Sequence, residues 1–190
     1  GVQTCALPIY ITYNSNNGYS VHKGQLAVEN GRLYVHFSMN DLYTSQMQFH
    51  LWNITVDGKS CVLNVLPVNS DGSINWGGQT NGFGAGVYRN FGVFAGYYND
   101  VDGDVAFTVY DAAHTETGKG DEIEFSISLD KLADYLGIKL DQGATITVSN
   151  PNIGTEGVTI TGTPTGPWAG AAIALLMAIG GVIVYRRKRI

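Results

Sequence analysis

Three carboxylates at alternate positions form the most compact group of candidate metal ligands in the sequence. They are Asp100, Asp102 and Asp104, and carboxylate oxygens are the ligands that Ca²⁺ takes. The loop is not an EF-hand, because its glycine, Gly103, is fourth rather than sixth and its twelfth residue is Asp111 rather than Glu. Asp and Gly are also the residues that a tight turn requires. Two interpretations therefore stay open here: a calcium site, with Ca²⁺ as the one cofactor predicted, and a simple turn between two strands.

Aromatic residues are interleaved with glycines between Trp76 and Tyr98, where Arg89 is the only charge up to Gly96. Aromatic faces offer a large apolar area to a sugar ring, and neighbouring amides can bind its hydroxyls. This pattern predicts a sugar-binding surface made of Trp76, Gln79, Asn81, Tyr88, Tyr97 and Tyr98. The alternative is that these rings, with Phe83, pack in the core and that the glycines allow close backbone approach.

Catalytic motifs do not accompany these residues. The sequence contains no nucleophile elbow and no phosphate-binding loop, and its four histidines lack metal-ligand spacing. Glu122 and Glu124 share one face of a predicted strand, where solvent-exposed glutamates explain them better than a glycosidase pair does. We therefore expect a binding protein rather than an enzyme.

Short alternating segments separated by Gly and Asn turns must position these residues. The hairpin signal is strongest in 25–39, where Asn30-Gly31 separates two β-prone arms and the apolar residues of the second arm alternate with polar ones. This pattern predicts an all-β fold, an antiparallel β-sandwich of jelly-roll or immunoglobulin-like type. One helix is expected over 130–136, with Asp130 as its N-cap and Gly137 at its end. The further strands are expected at 10–13, 47–56, 60–68, 87–98, 105–110, 122–129, 144–148 and 157–160, with Asp57-Gly58 as the turn between the second and third of them.

The charge of this region limits its partners. Residues 10–167 carry seven Lys and Arg residues and all sixteen Asp and Glu residues, a formal charge of −9. An acidic domain of this kind argues against nucleic acid or anionic lipid as a ligand. Cys61 is the only cysteine in the region, so no disulfide forms within it.

The hairpin Leu-Ala-Val-Glu-Asn-Gly-Arg-Leu-Tyr-Val-His-Phe-Ser-Met and the later Glu-Ile-Glu-Phe-Ser-Ile-Ser-Leu-Asp before a short helix carry a resemblance. In their order they are similar to carbohydrate-binding modules of the family-nine or DOMON-like sandwich kind. The similarity covers about 100 residues. It implies a sandwich that holds a glycan between aromatic rings, and it places no individual residue of this chain in the site.

The C-terminal end carries a different signal. Residues 168–185 contain no charge, begin with Trp168 and end with Tyr185, and four basic residues follow before Ile190. As a helix this segment is about 27 Å long, close to the hydrocarbon thickness of a bilayer. It predicts a single transmembrane helix with the basic tail, 186–190, in the cytoplasm and the N-terminal part outside. A buried helix of a soluble domain is the alternative.

A small polar motif, Thr163-Pro164-Thr165-Gly166-Pro167, stands just before that segment. The motif, the apolar run and the basic end together resemble the C-terminal sorting domains of Gram-positive (Firmicutes) surface proteins. The resemblance implies a sortase- or exosortase-type enzyme as a partner, and the motif, which departs from Leu-Pro-x-Thr-Gly, is more similar to the exosortase type. A plain membrane anchor is the alternative.

The first residues need separate treatment. Val2 to Ile9 read Val-Gln-Thr-Cys-Ala-Leu-Pro-Ile and resemble the translation of a sequencing-library adapter, which is excluded from fold reasoning. The predicted organisation is thus an adapter-derived segment (1–9), a sandwich ectodomain (10–161), a sorting-motif linker (162–167), a transmembrane helix (168–185) and a cytoplasmic tail (186–190).

These features predict a protein of the bacterial cell surface with a binding or adhesion role and a glycan as the ligand class. Two alternatives stay open: a structural surface component without a small ligand, and an accessory module of a truncated surface hydrolase.

Overall fold

A computed structural model of the chain describes residues 4–5, 9–15, 18–40, 47–111, 120–141 and 143–162, with side chains from His22 onward. The described part is mostly β-structure, with two antiparallel sheets and one short helix, as predicted. The arrangement is consistent with a β-sandwich. The predicted sorting motif (163–167), transmembrane helix (168–185) and basic tail (186–190) lie outside the described residues.

The first sheet has seven strands in the order β1-β3-β4-β11-β10-β7, with β2 also paired to β3. We call it the seven-stranded sheet. Its strands are β1 (Thr4–Cys5), β2 (Ile9–Ser15), β3 (Gly18–Glu29), β4 (Arg32–Ser38), β7 (Gly86–Tyr88), β10 (Asp104–Val109) and β11 (Glu122–Ser128).

The second sheet, the six-stranded sheet, has the order β13-β12-β5-β6-β8-β9. Its strands are β5 (Trp52–Val56), β6 (Lys59–Pro67), β8 (Phe91–Ala95), β9 (Asn99–Asp100), β12 (Thr145–Ser149) and β13 (Val158–Thr161). Because the chain repeatedly changes sheet after a hairpin, residues that are distant in sequence become cross-strand neighbours.

Two dipeptide turns have the backbone geometry that their sequences predict. Asn30 and Gly31 have φ values of 50° and 73°, and Asp57 and Gly58 have φ values of 47° and 81°. Two consecutive residues with positive φ match the twist of a two-residue hairpin. These turns fix the register of β3 with β4 and of β5 with β6, and the predicted hairpins are confirmed.

The two sheets share one apolar core. Trp52 of the six-stranded sheet lies 4.8 Å from Phe37 and 5.5 Å from Phe125 of the seven-stranded sheet, measured between ring centroids and in edge-to-face geometry. Leu33, Val35 and Phe37 are buried as their alternation predicts. The core therefore fixes which face of each strand points outward.

Two predicted strands differ from the structure. The segment 87–98 is not one strand: β7 belongs to the seven-stranded sheet, whereas β8 and β9 belong to the six-stranded sheet. The segment 47–56 is a strand only from Trp52, because Leu51 has a φ of 64°, which breaks the extended conformation. Met47 and Phe49 are nevertheless buried in the core, so their apolar character serves packing without strand pairing.

The helix α1 (Leu129–Leu136) begins one residue earlier than predicted and has a different cap. Ser128 is extended and its side-chain oxygen accepts a hydrogen bond from the Lys131 N–H at 3.3 Å, so Ser128 rather than Asp130 is the N-cap. Asp130 lies in the first turn, and Gly137 closes the helix at a φ of 62°, as predicted.

The N-terminal strands pair with β3. Thr4 and Cys5 lie opposite Val28 and Ala27, and β2 pairs with the first half of β3. The strand expected at 10–13 is thus present and longer. The adapter origin of 1–9 stays a prediction.

Candidate functional site

The predicted aromatic residues divide into an exposed pair and a packed pair. Trp76 and Tyr98 are 63% and 81% exposed, although they are among the largest apolar side chains of the domain. Their ring centroids are 5.9 Å apart and the ring planes make an angle of 54°. Tyr97, next to Tyr98, is 50% exposed. Together Trp76 and Tyr98 form a bent apolar surface, which we call the aromatic platform.

A tight turn attached to the end of β6 holds Trp76. The Asn75 N–H donates to the Pro67 carbonyl at 2.8 Å, and the Gly78 N–H donates to the Asn75 carbonyl at 2.9 Å. The Asn75 side-chain oxygen accepts from the Gly77 N–H at 3.2 Å. A Cβ on Gly78 would lie 2.5 Å from the Cβ of Pro67, so only glycine fits there. The indole therefore projects from a backbone that is fixed on both sides of it.

Tyr98 lies in the turn between β8 and β9, and a buried amide fixes that turn. The Asn64 side chain is buried and donates to the Gly96 carbonyl at 2.6 Å, while the Gly96 N–H donates to the Val62 carbonyl at 2.8 Å. The Asn99 side chain donates to the Ala95 carbonyl at 3.2 Å. Polar groups in the interior thus anchor the turn and leave the Tyr98 ring in solvent.

Tyr88 lies elsewhere, against the core. Its ring centroid is 4.6 Å from that of Phe83 and its hydroxyl donates to the Gly84 carbonyl at 2.8 Å. Phe83 in turn packs against Phe49, Phe91 and Phe107. Of the predicted set, the structure therefore brings Trp76 and Tyr98 together and places Tyr88 and Phe83 in a second aromatic group.

The two predicted amide residues form a local contact. The Gln79 side-chain nitrogen donates to the main-chain carbonyl of Asn81, and both side chains are exposed. They belong to the same loop as Trp76. This loop contains Gly82 at a φ of 67°, a conformation that suits glycine.

The three predicted calcium ligands lie where the chain passes from one sheet to the other. Asp100 ends β9, Asp104 begins β10, and 101–103 cross between the sheets, so this is not a turn within one sheet. The Asp100 carboxylate accepts from the Asp102 N–H at 2.7 Å. A Cβ on Gly103 would overlap Val93, which explains the glycine by packing.

Arg32 occupies the position beside these carboxylates. Its guanidinium nitrogens lie 3.8 Å from an Asp102 oxygen and 3.5 Å from an Asp104 oxygen, and one of them donates to the Asp102 carbonyl at 2.6 Å. Two nitrogens also donate to the Ser126 hydroxyl, at 3.2 and 2.8 Å. The positive charge next to Asp102 and Asp104 is thus supplied by the protein itself.

The described residues were compared with the requirements of a metal cluster and of a membrane-spanning helix. No three His, Cys, Asp or Glu side chains among the described residues converge as metal ligands. Within the same residues, no helix combines the length and the apolar character required to cross a bilayer. Cys61 is a free thiol packed against the core, and burial raises its pKa to about 11, so it is a poor nucleophile.

Comparison of the chain with protein-family models, with curated proteins and with solved structures gives no significant match.

Several residues that position the platform were not predicted from the sequence. Asn64 and Asn75 hold the two turns, and Tyr135 of α1, which is 44% exposed, places its hydroxyl over Gly96. Asn64 alone carried a usable signal, since an Asn in the middle of an apolar strand needs hydrogen-bond partners. The contact of Tyr135 depends on how α1 packs on the six-stranded sheet, which local sequence does not reveal.

Proposed function

We propose that this chain is a binding module of the bacterial cell surface and that it holds a carbohydrate on the aromatic platform. One observation carries the proposal: Trp76 and Tyr98 are adjacent and exposed, on turns that buried or turn-capping amides keep rigid. Rigid aromatic side chains lose little entropy when a ligand covers them, and their faces match the C–H surfaces of a sugar ring.

The polar groups around the platform support a neutral ligand. Gln79 and Asn81 belong to the loop that carries Trp76 and both side chains are exposed, so amide groups lie in the same loop as the indole. The fold supports the same view, since the connections between the strands of two antiparallel sheets lie at the strand ends, and such loops often carry binding residues. The jelly-roll or immunoglobulin-like class of the sandwich stays a prediction.

The cellular location is part of the proposal and depends on the C-terminal segment. The apolar run 168–185 with its basic end favours export of the domain and retention at the membrane. The motif Thr163-Pro164-Thr165-Gly166-Pro167 favours later processing by a sortase- or exosortase-type enzyme. Acidic charge on the domain fits a position away from anionic lipid.

Binding is tested with the full chain on a glycan array. The parent protein is compared with Trp76→Ala, with Trp76→Phe, which keeps an aromatic face, and with Val87→Ala, which shortens another exposed apolar side chain away from the platform. We expect Trp76→Ala to weaken glycan binding about tenfold or more, Trp76→Phe to retain most of it, and Val87→Ala to leave it unchanged. A parent protein that binds no glycan, or a Trp76→Ala variant that binds every glycan like the parent, would contradict the proposal.

Location is tested separately with whole cells of a Gram-positive host that express the full chain. We expect added protease to digest the domain and to leave cytoplasmic proteins undigested. A chain that stays in the cytosol and is protected from protease would overturn the surface assignment without bearing on the glycan site.

A further inference from the structure

The outer face of the seven-stranded sheet carries a second concave region, distinct from the aromatic platform. Strand register places Tyr34 of β4 between Ala27 of β3 and Ser126 of β11. One step along the strands, His36 lies between Gln25 and Glu124. Because Ala27 and Ser126 are small, the phenol ring of Tyr34 stands above its neighbours and leaves a depression on each side.

The depression on the β3 side, which we call the Tyr34 pocket, has a volume of about 400 Å³. Its side-chain lining is Gln25, Ala27, Glu29, Tyr34, His36 and Glu124. A volume of this order suits a small organic ligand. The depression on the other side, about 460 Å³, is lined by Arg32, Arg89 and Asp104 as well as Tyr34 and Glu124.

The charges of the two depressions differ. The Tyr34 pocket contains two carboxylates, Glu29 and Glu124, and no Lys or Arg lines it. Among the described residues, neither carboxylate forms an ion pair within 4 Å, whereas Glu122, outside the pocket, lies 3.9 Å from His36. Arg32, the nearest base in the register, is held toward the other side by Ser126, Asp102 and Asp104. The pocket thus combines an aromatic ring with two carboxylates that form no ion pair among the described residues, and one of them, Glu124, also lines the depression that contains Arg32 and Arg89.

This combination favours a cation. An ammonium group gains from a carboxylate partner by a charge-assisted hydrogen bond, and from an aromatic face by a cation–π contact. A neutral sugar could donate hydroxyl hydrogen bonds to these carboxylates but would gain no charge–charge attraction from them. An anion would be repelled by them, and by a domain whose formal charge is −9.

The positions of the two carboxylates indicate the shape of the ligand. Glu29 pairs with Arg32 in the register and Glu124 pairs with His36, four residues further along β4. Four residues of strand correspond to about 13 Å, and β3 and β11 are two strand spacings, about 10 Å, apart. The two acids therefore stand on opposite sides of Tyr34, and a compact ion with one charge cannot meet both.

We propose that the Tyr34 pocket binds a linear polyamine, with one ammonium group at Glu29, another at Glu124, and the alkyl chain between them against the Tyr34 ring. The alkyl segments cover Ala27 and the ring face, and Gln25 offers a further acceptor. This site is independent of the glycan proposal, because it uses the outer face of the other sheet and shares no residue with the platform.

The test is a calorimetric titration of the full 190-residue chain with spermidine. The salt concentration is about 150 mM, so that non-specific electrostatic attraction is screened. We expect saturable binding of one spermidine per chain. Glu29→Gln and Glu124→Gln should each weaken binding about tenfold, because each removes one charge-assisted bond. Tyr34→Leu should weaken spermidine binding a few-fold, and Tyr34→Phe, which keeps the aromatic face, should retain the affinity of the parent.

Asp134→Asn is the matched control, since it removes one exposed negative charge on α1 from a residue that does not line the pocket. We expect parent-like affinity for this variant, and weaker binding of butylamine, which has one ammonium group. Thermal unfolding of each variant shows that loss of binding is not loss of fold. The proposal is overturned if spermidine does not saturate the parent chain, or if Asp134→Asn weakens binding as much as Glu124→Gln does.

Discussion

The outer faces of the two sheets differ although the sheets share one core. On the six-stranded sheet, the register places Thr159, Thr147, Thr55 and Ser60 side by side across four strands. Their hydroxyls pair with each other, at 2.8 Å between Thr147 and Thr159 and 2.7 Å between Thr55 and Ser60. On the seven-stranded sheet, which presents what we call the charged face, the row through Tyr34 holds Ala27, Tyr34, Ser126 and Asp104, and the next row holds Gln25, His36, Glu124 and Ala106.

The two outer faces differ in whether their polar side chains pair with each other. The outer face of the six-stranded sheet, which we call the hydroxyl face, pairs its Thr and Ser hydroxyls across neighbouring strands. Its polar groups thus satisfy each other, and the face shields the core from solvent. The charged face leaves Glu29 and Glu124 without ion pairs among the described residues. The two proposed binding sites therefore lie on the charged face and on the turns that carry Trp76 and Tyr98.

The largest expected effect on stability comes from removing a large side chain from the core between the two sheets. Trp52 is fully buried between the sheets, and its indole N–H donates to the Gln48 carbonyl at 3.1 Å. We expect Trp52→Ala to lower the free energy of unfolding by about 3–5 kcal/mol, because it leaves a large cavity. Urea denaturation measures the loss.

Trp76→Ala is the control for this experiment, since it deletes the same atoms from an exposed position. We expect it to change stability by less than about 0.5 kcal/mol. Equal losses for the two variants would contradict the assignment of Trp52 to a shared core.

A smaller effect should follow from acid, through His22 of β3. Burial lowers the pKa of His22 from 6.5 to about 4, and its Nδ1 accepts from the Asn40 N–H at 2.9 Å. Below pH 6.5 the unfolded chain takes up a proton that the folded chain does not, so stability falls between pH 6.5 and pH 4. The expected contribution of His22 is on the order of 3 kcal/mol.

The variant His22→Gln isolates this contribution, because every other titrating group is retained. We expect its stability to fall less steeply than that of the parent over the same pH range, as measured by urea denaturation at each pH. Parallel pH profiles for the two proteins would show that His22 is not a neutral buried group.

Arg32 connects the outer face of the seven-stranded sheet to the segment 101–103, which crosses between the sheets. Arg32→Met removes the hydrogen bonds to the buried Ser126 hydroxyl and to the Asp102 carbonyl. We expect a loss of about 1 kcal/mol in thermal or urea unfolding. Arg89→Met, which removes an exposed arginine, should cost less. A larger loss for Arg89→Met would argue against the role of Arg32.

The same guanidinium leads to an expectation for calcium. Because Arg32 already lies beside Asp102 and Asp104, we expect EDTA to leave the melting temperature of the parent protein unchanged. A clear decrease in melting temperature on EDTA addition, reversed by Ca²⁺, would instead support the calcium interpretation of the three aspartates.

The smallest effect is expected on the hydroxyl face. Thr147→Val keeps the β-branched shape and removes one exposed hydroxyl pair, so we expect a change within about 0.5 kcal/mol. A loss of several kcal/mol would mean that the hydroxyl row is a structural network rather than a solvated cover.

Local sequence predicted the features that depend on neighbouring residues. Asn30-Gly31 and Asp57-Gly58 specify hairpins because both turn positions need positive φ, and alternation in β4 predicts which residues are buried. The strand expected at 87–98 was wrong because nothing local shows that the chain changes sheet between Tyr88 and Phe91.

The two candidate sites likewise differ in how far the local sequence predicts them. Exposed aromatics in a Gly-rich loop were predicted, and Trp76 and Tyr98 do meet. The Tyr34 pocket was not predicted, because Ala27, Tyr34 and Glu124 come together only through the pairing of β4 with both β3 and β11. That long-range pairing depends on the whole core and not on any one segment.

Quenching of tryptophan fluorescence tests the central claim most directly. In a full chain that carries Trp168→Phe, two tryptophans remain, the buried Trp52 and the exposed Trp76. We predict that iodide quenches only the Trp76 signal and that a glycan selected from the array protects it. A glycan that binds while Trp76 stays as accessible to iodide as before would contradict the account.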